Sequence, residues 1–157
     1  MNIRLYSDGS GGTIADSSSW TAIIYINDTC HRVVGYRSFG TNNTAELLSI
    51  TDGLALIEKL LGPEYITKNR PIITITSDSE ICVKGISKEY GRKANKAIWS
   101  MIEYYETIFE LKPVHIPRNT TPENKYCDSL SLPFRRQSAD VFLQNFPAFI
   151  PIIESTR

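Results

Sequence analysis

The order of local patterns along this 157-residue chain predicts one α/β domain, a mixed β-sheet with helices packed on its faces. Three observations carry that expectation. Three strand-like segments open the chain in a row. A long amphipathic helix follows, and after it comes a β-branched run that reads as a buried strand. From there helical and strand patterns alternate. Apolar residues make up 41% and charged residues 22%, ordinary for a globular protein able to bury a core. Lysine plus arginine (17) equals aspartate plus glutamate (17), so no bulk basic field exists to hold a polyanion. Any such binding must come from a local patch.

Ile3 to Ser10 is the first strand, with Ile3 and Leu5 alternating against Arg4 and Tyr6. It runs into Asp8-Gly9-Ser10, an acid at the carboxyl end of a strand beside very small residues. That is where an α/β fold tends to place its chemistry. A polar loop follows, then a strand from Trp20 to Ile26, a turn at Asn27-Asp28 and a returning strand from Cys30 to Ser38. Thr41-Asn42-Asn43 starts the long helix, whose Leu47, Ile50, Leu54, Ile57 and Leu61 form one apolar stripe until Gly62-Pro63 stops it.

Ile72 to Thr76 is the β-branched strand. It ends at Ser77-Asp78-Ser79, which opens a short helix through about Ile86. Lys84 to Lys96 is locally basic, with Lys84, Lys88, Arg92, Lys93 and Lys96 against Glu89. A further helix is expected from about Lys93 to Phe109, then a strand from Leu111 to Ile116. Pro122 suits the first turn of a last helix, which carries Asp128 and ends near Pro133. Ser138 to Asn145 has helical character, and the apolar, proline-containing end is expected to pack back on the domain. Residues 1–132 are therefore read as the main domain and 133–157 as a C-terminal extension.

Cys30, Cys82 and Cys127 are odd in number and widely spaced, which argues against a zinc site or a disulfide framework. The apolar stretch from Phe146 to Ile153 is too short to cross a bilayer. The chain opens directly on a strand without an apolar signal segment, so a cytoplasmic location is expected. On that ground the glycosylation-like triplets at Asn27, Asn42 and Asn119 are read as chance.

Four acids stand out: Asp8, Glu46, Asp78 and Asp128. Each has a plain structural alternative. Asp8 can decorate a turn, and Asp128 can be a solvated helical charge. Glu46 lies three residues after Asn43, and Asp78 lies inside a Ser77-x-x-Glu80 pattern, both close to capping boxes. Taken together, two acids end strands expected inside the sheet and two lie on helices after short polar loops. Four gathered carboxylates without a cation would repel one another and be costly to desolvate. Hard oxygen ligands of this kind suit magnesium or manganese.

Tyr6-Ser7-Asp8-Gly9-Ser10, Thr41-Asn42-Asn43-Thr44-Ala45-Glu46-Leu47, Thr76-Ser77-Asp78-Ser79-Glu80 and Pro122-Glu123-Asn124-Lys125-Tyr126-Cys127-Asp128-Ser129-Leu130, in this order, resemble type 1 ribonuclease H. The resemblance spans roughly Ile3 to Ser131. It implies the ribonuclease H-like sheet of five strands, three antiparallel then two parallel, with helices on both faces. It implies hydrolysis of the RNA strand of an RNA–DNA hybrid, leaving 5′-phosphate and 3′-hydroxyl ends. It further implies that Asp8, Glu46, Asp78 and Asp128 are the catalytic acids holding two Mg2+ (or Mn2+) ions. Gly9, Ser10, Gly11, Asn42, Asn43, Ser79 and Glu80 match positions that meet the minor groove of the hybrid, and Thr41 one that holds a DNA phosphate. A monomer without membrane contact is expected.

The chain departs from the pattern in two places. Many members carry a histidine in the loop before the last acid, yet none lies between Pro117 and Asp128 here. Arg118 falls at or near that place and is the candidate to take over its part, while His115 is assigned to the preceding strand. The basic segment after the third acid is also compact, with its excess of lysine and arginine retained. Two other readings remain open, a DNA-cutting nuclease of resolvase or transposase type and a non-catalytic nucleic-acid-binding domain.

Overall fold

The computed structural model describes residues 1–11, 18–37, 40–125, 127 and 153–156. Its elements run β1 (Ile3–Gly11), β2 (Ser18–Ile26), β3 (Thr29–Arg37), α1 (Asn42–Leu61), α2 (Pro63–Asn69), β4 (Ile72–Ser77), α3 (Glu80–Ile86), α4 (Lys96–Ile108), β5 (Glu110–His115) and β6 (Ile153–Thr156). The sheet order is β5-β4-β1-β2-β3-β6. β1, β2 and β3 form an antiparallel meander, and β4 and β5 join it in parallel on the β1 side. These five strands have the expected orientations. The sixth, β6, adds a parallel strand beyond β3 that alternation alone did not reveal.

One face of the sheet carries Leu5, Ile24, Val33 and Ile75 against α1. The stripe expected on α1 is wider than a stripe. Twelve of its residues are buried, including Ser49, Thr51 and Asp52. The reason is position, because α1 packs on the central strands and is flanked by α3 and α4, which also rest on the sheet. The indole Nε1 of the fully buried Trp20 donates to Asp52 Oδ2 at 2.7 Å, which satisfies two polar groups the core would otherwise strand.

Gly62-Pro63 ends α1 as expected, and the same proline opens α2, which the sequence did not announce. A proline that cannot continue one helix is well placed in the first turn of the next. α4 begins at Lys96, three residues later than expected, because Asn95 adopts a left-handed conformation (φ 58). On the opposite face of the sheet, the helical turn beginning at 122 packs against β1 and β2. There the Tyr25 hydroxyl donates to Glu123 Oε2 (3.2 Å), and Cys127 Sγ lies 3.9 Å from the Tyr6 carbonyl oxygen. Asp128, the helix expected over 138–145 and the packing of the tail through residue 152 lie outside the described residues.

Candidate active site

β1 and β4 are neighbouring parallel strands, and their register pairs Ser7 with Ser77. Asp8 and Asp78, each one residue further on, therefore emerge side by side where that pairing stops. Both strands are interior to the sheet. Glu46 arrives from above, on the second turn of α1. Thr41, not Asn43, caps this helix, its Oγ1 accepting from the Thr44 backbone N–H at 3.2 Å. Glu46 is thus released from any capping duty. Gly9 allows the helix to come this close. A Cβ on residue 9 would sit 2.4 Å from the Ala45 carbonyl carbon and 2.5 Å from the Glu46 nitrogen, both rigid backbone.

The outcome is a carboxylate cluster. Asp8, Glu46 and Asp78 each place an oxygen so that all three lie within 4.8 Å of one another. They line an open cleft of about 250 Å3 together with Gly9, Ser10, Asn42 and Arg118. Asp8 is only 5% exposed. Burial pushes the Glu46 carboxyl up to about 7. A hydrogen bond from Ser79 and the charge of Arg118 oppose that rise, while the charge of Asp78 adds to it. The same burial, reinforced by the charges of Glu46 and Asp78, holds the Cys82 thiol at about 12 behind the cluster, so it stays a neutral packing group.

The capping-box alternative for Asp78 also falls away. Ser77 Oγ accepts from the Ser79 backbone N–H (3.0 Å), and Ser79 Oγ caps α3 by accepting from Cys82 N–H (3.2 Å). Glu80 turns outward to Lys84 at 2.7 Å and to the Tyr90 hydroxyl at 3.1 Å. Of the residues expected at the groove, Gly9, Ser10 and Asn42 line the cleft. Thr41 and Asn43 lie at the start of α1 on its rim, and Gly11 ends β1. His115 is exposed at the end of β5 with Nε2 3.2 Å from the Asp78 carbonyl oxygen, on its backbone and not on its carboxylate.

Asn124, within the Pro122–Leu130 motif, joins the site through its contacts. Its amide Nδ2 donates to Asp78 Oδ2 at 3.3 Å, and its Oδ1 accepts from the Asn119 backbone N–H at 2.7 Å. The side chain is 2% exposed. It ties the loop carrying Arg118 to the third acid. In the basic segment, Arg92 is not a free charge. It forms a bidentate pair with Glu106 and packs on Trp99.

A mixed sheet in this order, with acids gathered where its central parallel strands end, is a ribonuclease H-like fold. No family model matches the sequence. The chain is 25% identical over 158 residues to a ribonuclease H of Geotalea uraniireducens, an alignment covering 90% of this chain and 97% of that protein. It is 22% identical to a ribonuclease H of Nitratidesulfovibrio vulgaris, across 83% and 86% of the two chains. The N-terminal ribonuclease H domain of a Mycobacterium tuberculosis protein superposes with a TM-score of 0.71 at 18% identity, covering 92% of this chain and 97% of the other. LC11 ribonuclease H1, solved in complex with an RNA/DNA hybrid, gives 0.68 at 22% identity, covering 84% and 95%.

Proposed function

We propose that the chain is a metal-dependent endoribonuclease that cuts the RNA strand of RNA–DNA hybrids, leaving 5′-phosphate and 3′-hydroxyl ends. The observation that carries this reading is the convergence of three carboxylate oxygens within 4.8 Å in an open cleft. Negative charge concentrated in this way, with one member already driven toward protonation, fits a hard divalent cation. Asp8, Glu46 and Asp78 would hold it, with Asp128 as fourth acid, and the assignment is two Mg2+ ions, Mn2+ being an acceptable substitute. When bound, such ions supply Lewis-acid stabilisation of the phosphodiester and lower the pKa of water.

The chain's own groups do the rest. Asn124 and Ser79 orient Asp78 and Glu46 through the hydrogen bonds described above. Gly9, Ser10, Gly11, Asn42, Asn43, Ser79 and Glu80 offer backbone and short polar groups for a minor groove, where a 2′-hydroxyl separates RNA from DNA. Thr41 takes a DNA phosphate. Arg118 faces the cleft beside Glu46. A guanidinium does not give up its proton near neutral pH, so its part is to stabilise phosphate charge and not to relay protons. The hybrid found with LC11 ribonuclease H1 supports the substrate assignment.

The protein is assigned as a cytoplasmic monomer with 1–132 as catalytic domain and 133–157 as extension. Among the described residues no helix is long and apolar enough to cross a membrane. The test is incubation with labelled hybrid, duplex DNA and duplex RNA, with magnesium, with manganese and with chelator. Hybrid-only, metal-dependent cutting that Asp8→Asn abolishes is the expected result. Cutting of duplex DNA points to a resolvase-type enzyme, and binding without cutting to a non-catalytic domain. Either outcome overturns the reading.

A further inference from the structure

Residues 87–95 join α3 to α4 without regular structure of their own. Arg92 is held from three sides within this segment. Its Nε donates to the Gly85 carbonyl at 3.0 Å, and Nη1 and Nη2 donate to the two carboxylate oxygens of Glu106 at 2.9 and 3.1 Å. The guanidinium also lies 4.6 Å from the centre of the Trp99 ring. With a side chain only 15% exposed, this pair is largely withdrawn from water. A fork-to-fork geometry of this kind is both stronger and more directional than a surface ion pair.

Three residues later Asn95 takes its left-handed conformation and starts α4. Its Oδ1 accepts from Thr44 Oγ1 at 3.0 Å, and Thr44 Oγ1 lies 3.1 Å from Thr41 Oγ1, the cap of α1. Glu106 and Trp99 thus fix Arg92, three residues of backbone lead from it to Asn95, and hydrogen bonds from Asn95 to Thr44 and on to Thr41 reach the rim of the cleft. In the sequence Arg92 is one charge of a locally basic segment. In the fold three of its donors are engaged inside the protein.

We propose that Arg92 is a positioning residue: clamped by Glu106 and Trp99, it holds segment 87–95 so that Asn95 braces the start of α1, and it sets the affinity of that rim for nucleic acid without touching it. The substrate named here rests on the proposed hybrid-cutting activity; the clamp itself rests on geometry alone. Releasing the clamp leaves the segment populating its bracing conformation only part of the time, and apparent affinity falls by that fraction. A residue that contacts phosphate behaves differently, because losing it lowers the salt slope by about one.

The experiment compares Arg92→Met, Arg92→Lys, Glu106→Gln and the exchanged pair Arg92→Glu with Glu106→Arg. Steady-state kinetics on the hybrid are measured at several salt concentrations, and amide hydrogen exchange at residues 93–95 is followed. The expected result for Arg92→Met is a KM raised about three- to tenfold with kcat nearly unchanged. Exchange at 93–95 should be about tenfold faster, the slope of log(kcat/KM) against log salt should be unchanged, and the exchanged pair should recover part of the KM. A slope lowered by about one with unaltered exchange makes Arg92 a phosphate contact and overturns the proposal. A fall in kcat at constant KM, or no change in exchange, overturns it as well. If Arg92→Met does not fold, Arg92→Lys and Glu106→Gln carry the same comparison. Should the unaltered protein fail to cut hybrid, the activity assignment fails by itself, and exchange rates alone then decide the clamp.

Discussion

Two charged regions of the molecule make opposite use of burial. At the cleft, Asp8, Glu46 and Asp78 are like charges brought together by backbone that cannot move apart: two strands in parallel register and a helix pressed onto Gly9. Around Arg92, opposite charges meet in a bidentate pair that satisfies itself. The first arrangement leaves charge for something outside the chain to neutralise. The second leaves none. Counting charged residues along the sequence treats both regions alike, and only their partners separate a site from a brace.

The strongest way to break this contrast is Asp8→Asn. If the cluster serves catalysis and not folding, activity falls at least about a hundredfold. The thermal midpoint should stay level or rise, since removing one of three gathered charges relieves repulsion. A protein that unfolds with its activity would instead mark Asp8 as structural. Gly9→Ala should act on the fold as well as the site, forcing a Cβ into the Ala45–Glu46 backbone and lowering stability by about 1–3 kcal/mol in chemical denaturation.

pH sharpens the comparison further. Glu46 has its carboxyl raised from 4.5 to about 7 in the fold, so between those values the native state binds more protons than the unfolded one. Stability of the metal-free protein should therefore be greatest below about pH 4.5 as far as this group is concerned. It should decline as pH rises toward 7, by on the order of 3 kcal/mol. Glu46→Gln should flatten that decline in denaturation curves recorded across the range. Added magnesium or manganese should offset it, and a curve indifferent to both would separate Glu46 from the cation site. The smallest effect is expected at the exposed Lys93. If it contacts phosphate, Lys93→Ala should weaken hybrid binding uniformly across sequences and lower the salt slope by about one.

Much of this arrangement is legible in the order of residues. Alternation marks Ile3 to Ser10 as a strand, the β-branched run at Ile72 marks another, and the three- and four-residue steps from Leu47 mark the helix between. Those periods arise from local geometry, so the chain carries them whatever its neighbours do. Asn124 was harder to find. Its role depends on reaching Asp78 from 46 positions away, a distance that no local pattern encodes. α2 escaped because a Gly-Pro pair both ends one helix and begins the next.

By itself, then, the sequence determined the strands β1 to β5, the helices α1, α3 and α4, their order, and which acids they carry, because each depends on neighbours within a turn or two; α2 and β6 were not legible in it. Tertiary structure alone decided that Asp8, Glu46 and Asp78 converge, that Asn124 reaches Asp78, and that Arg92 answers Glu106 instead of a ligand. Partner choice among polar groups is settled by packing across the sheet and between helices. Spacing along the chain does not contain that information.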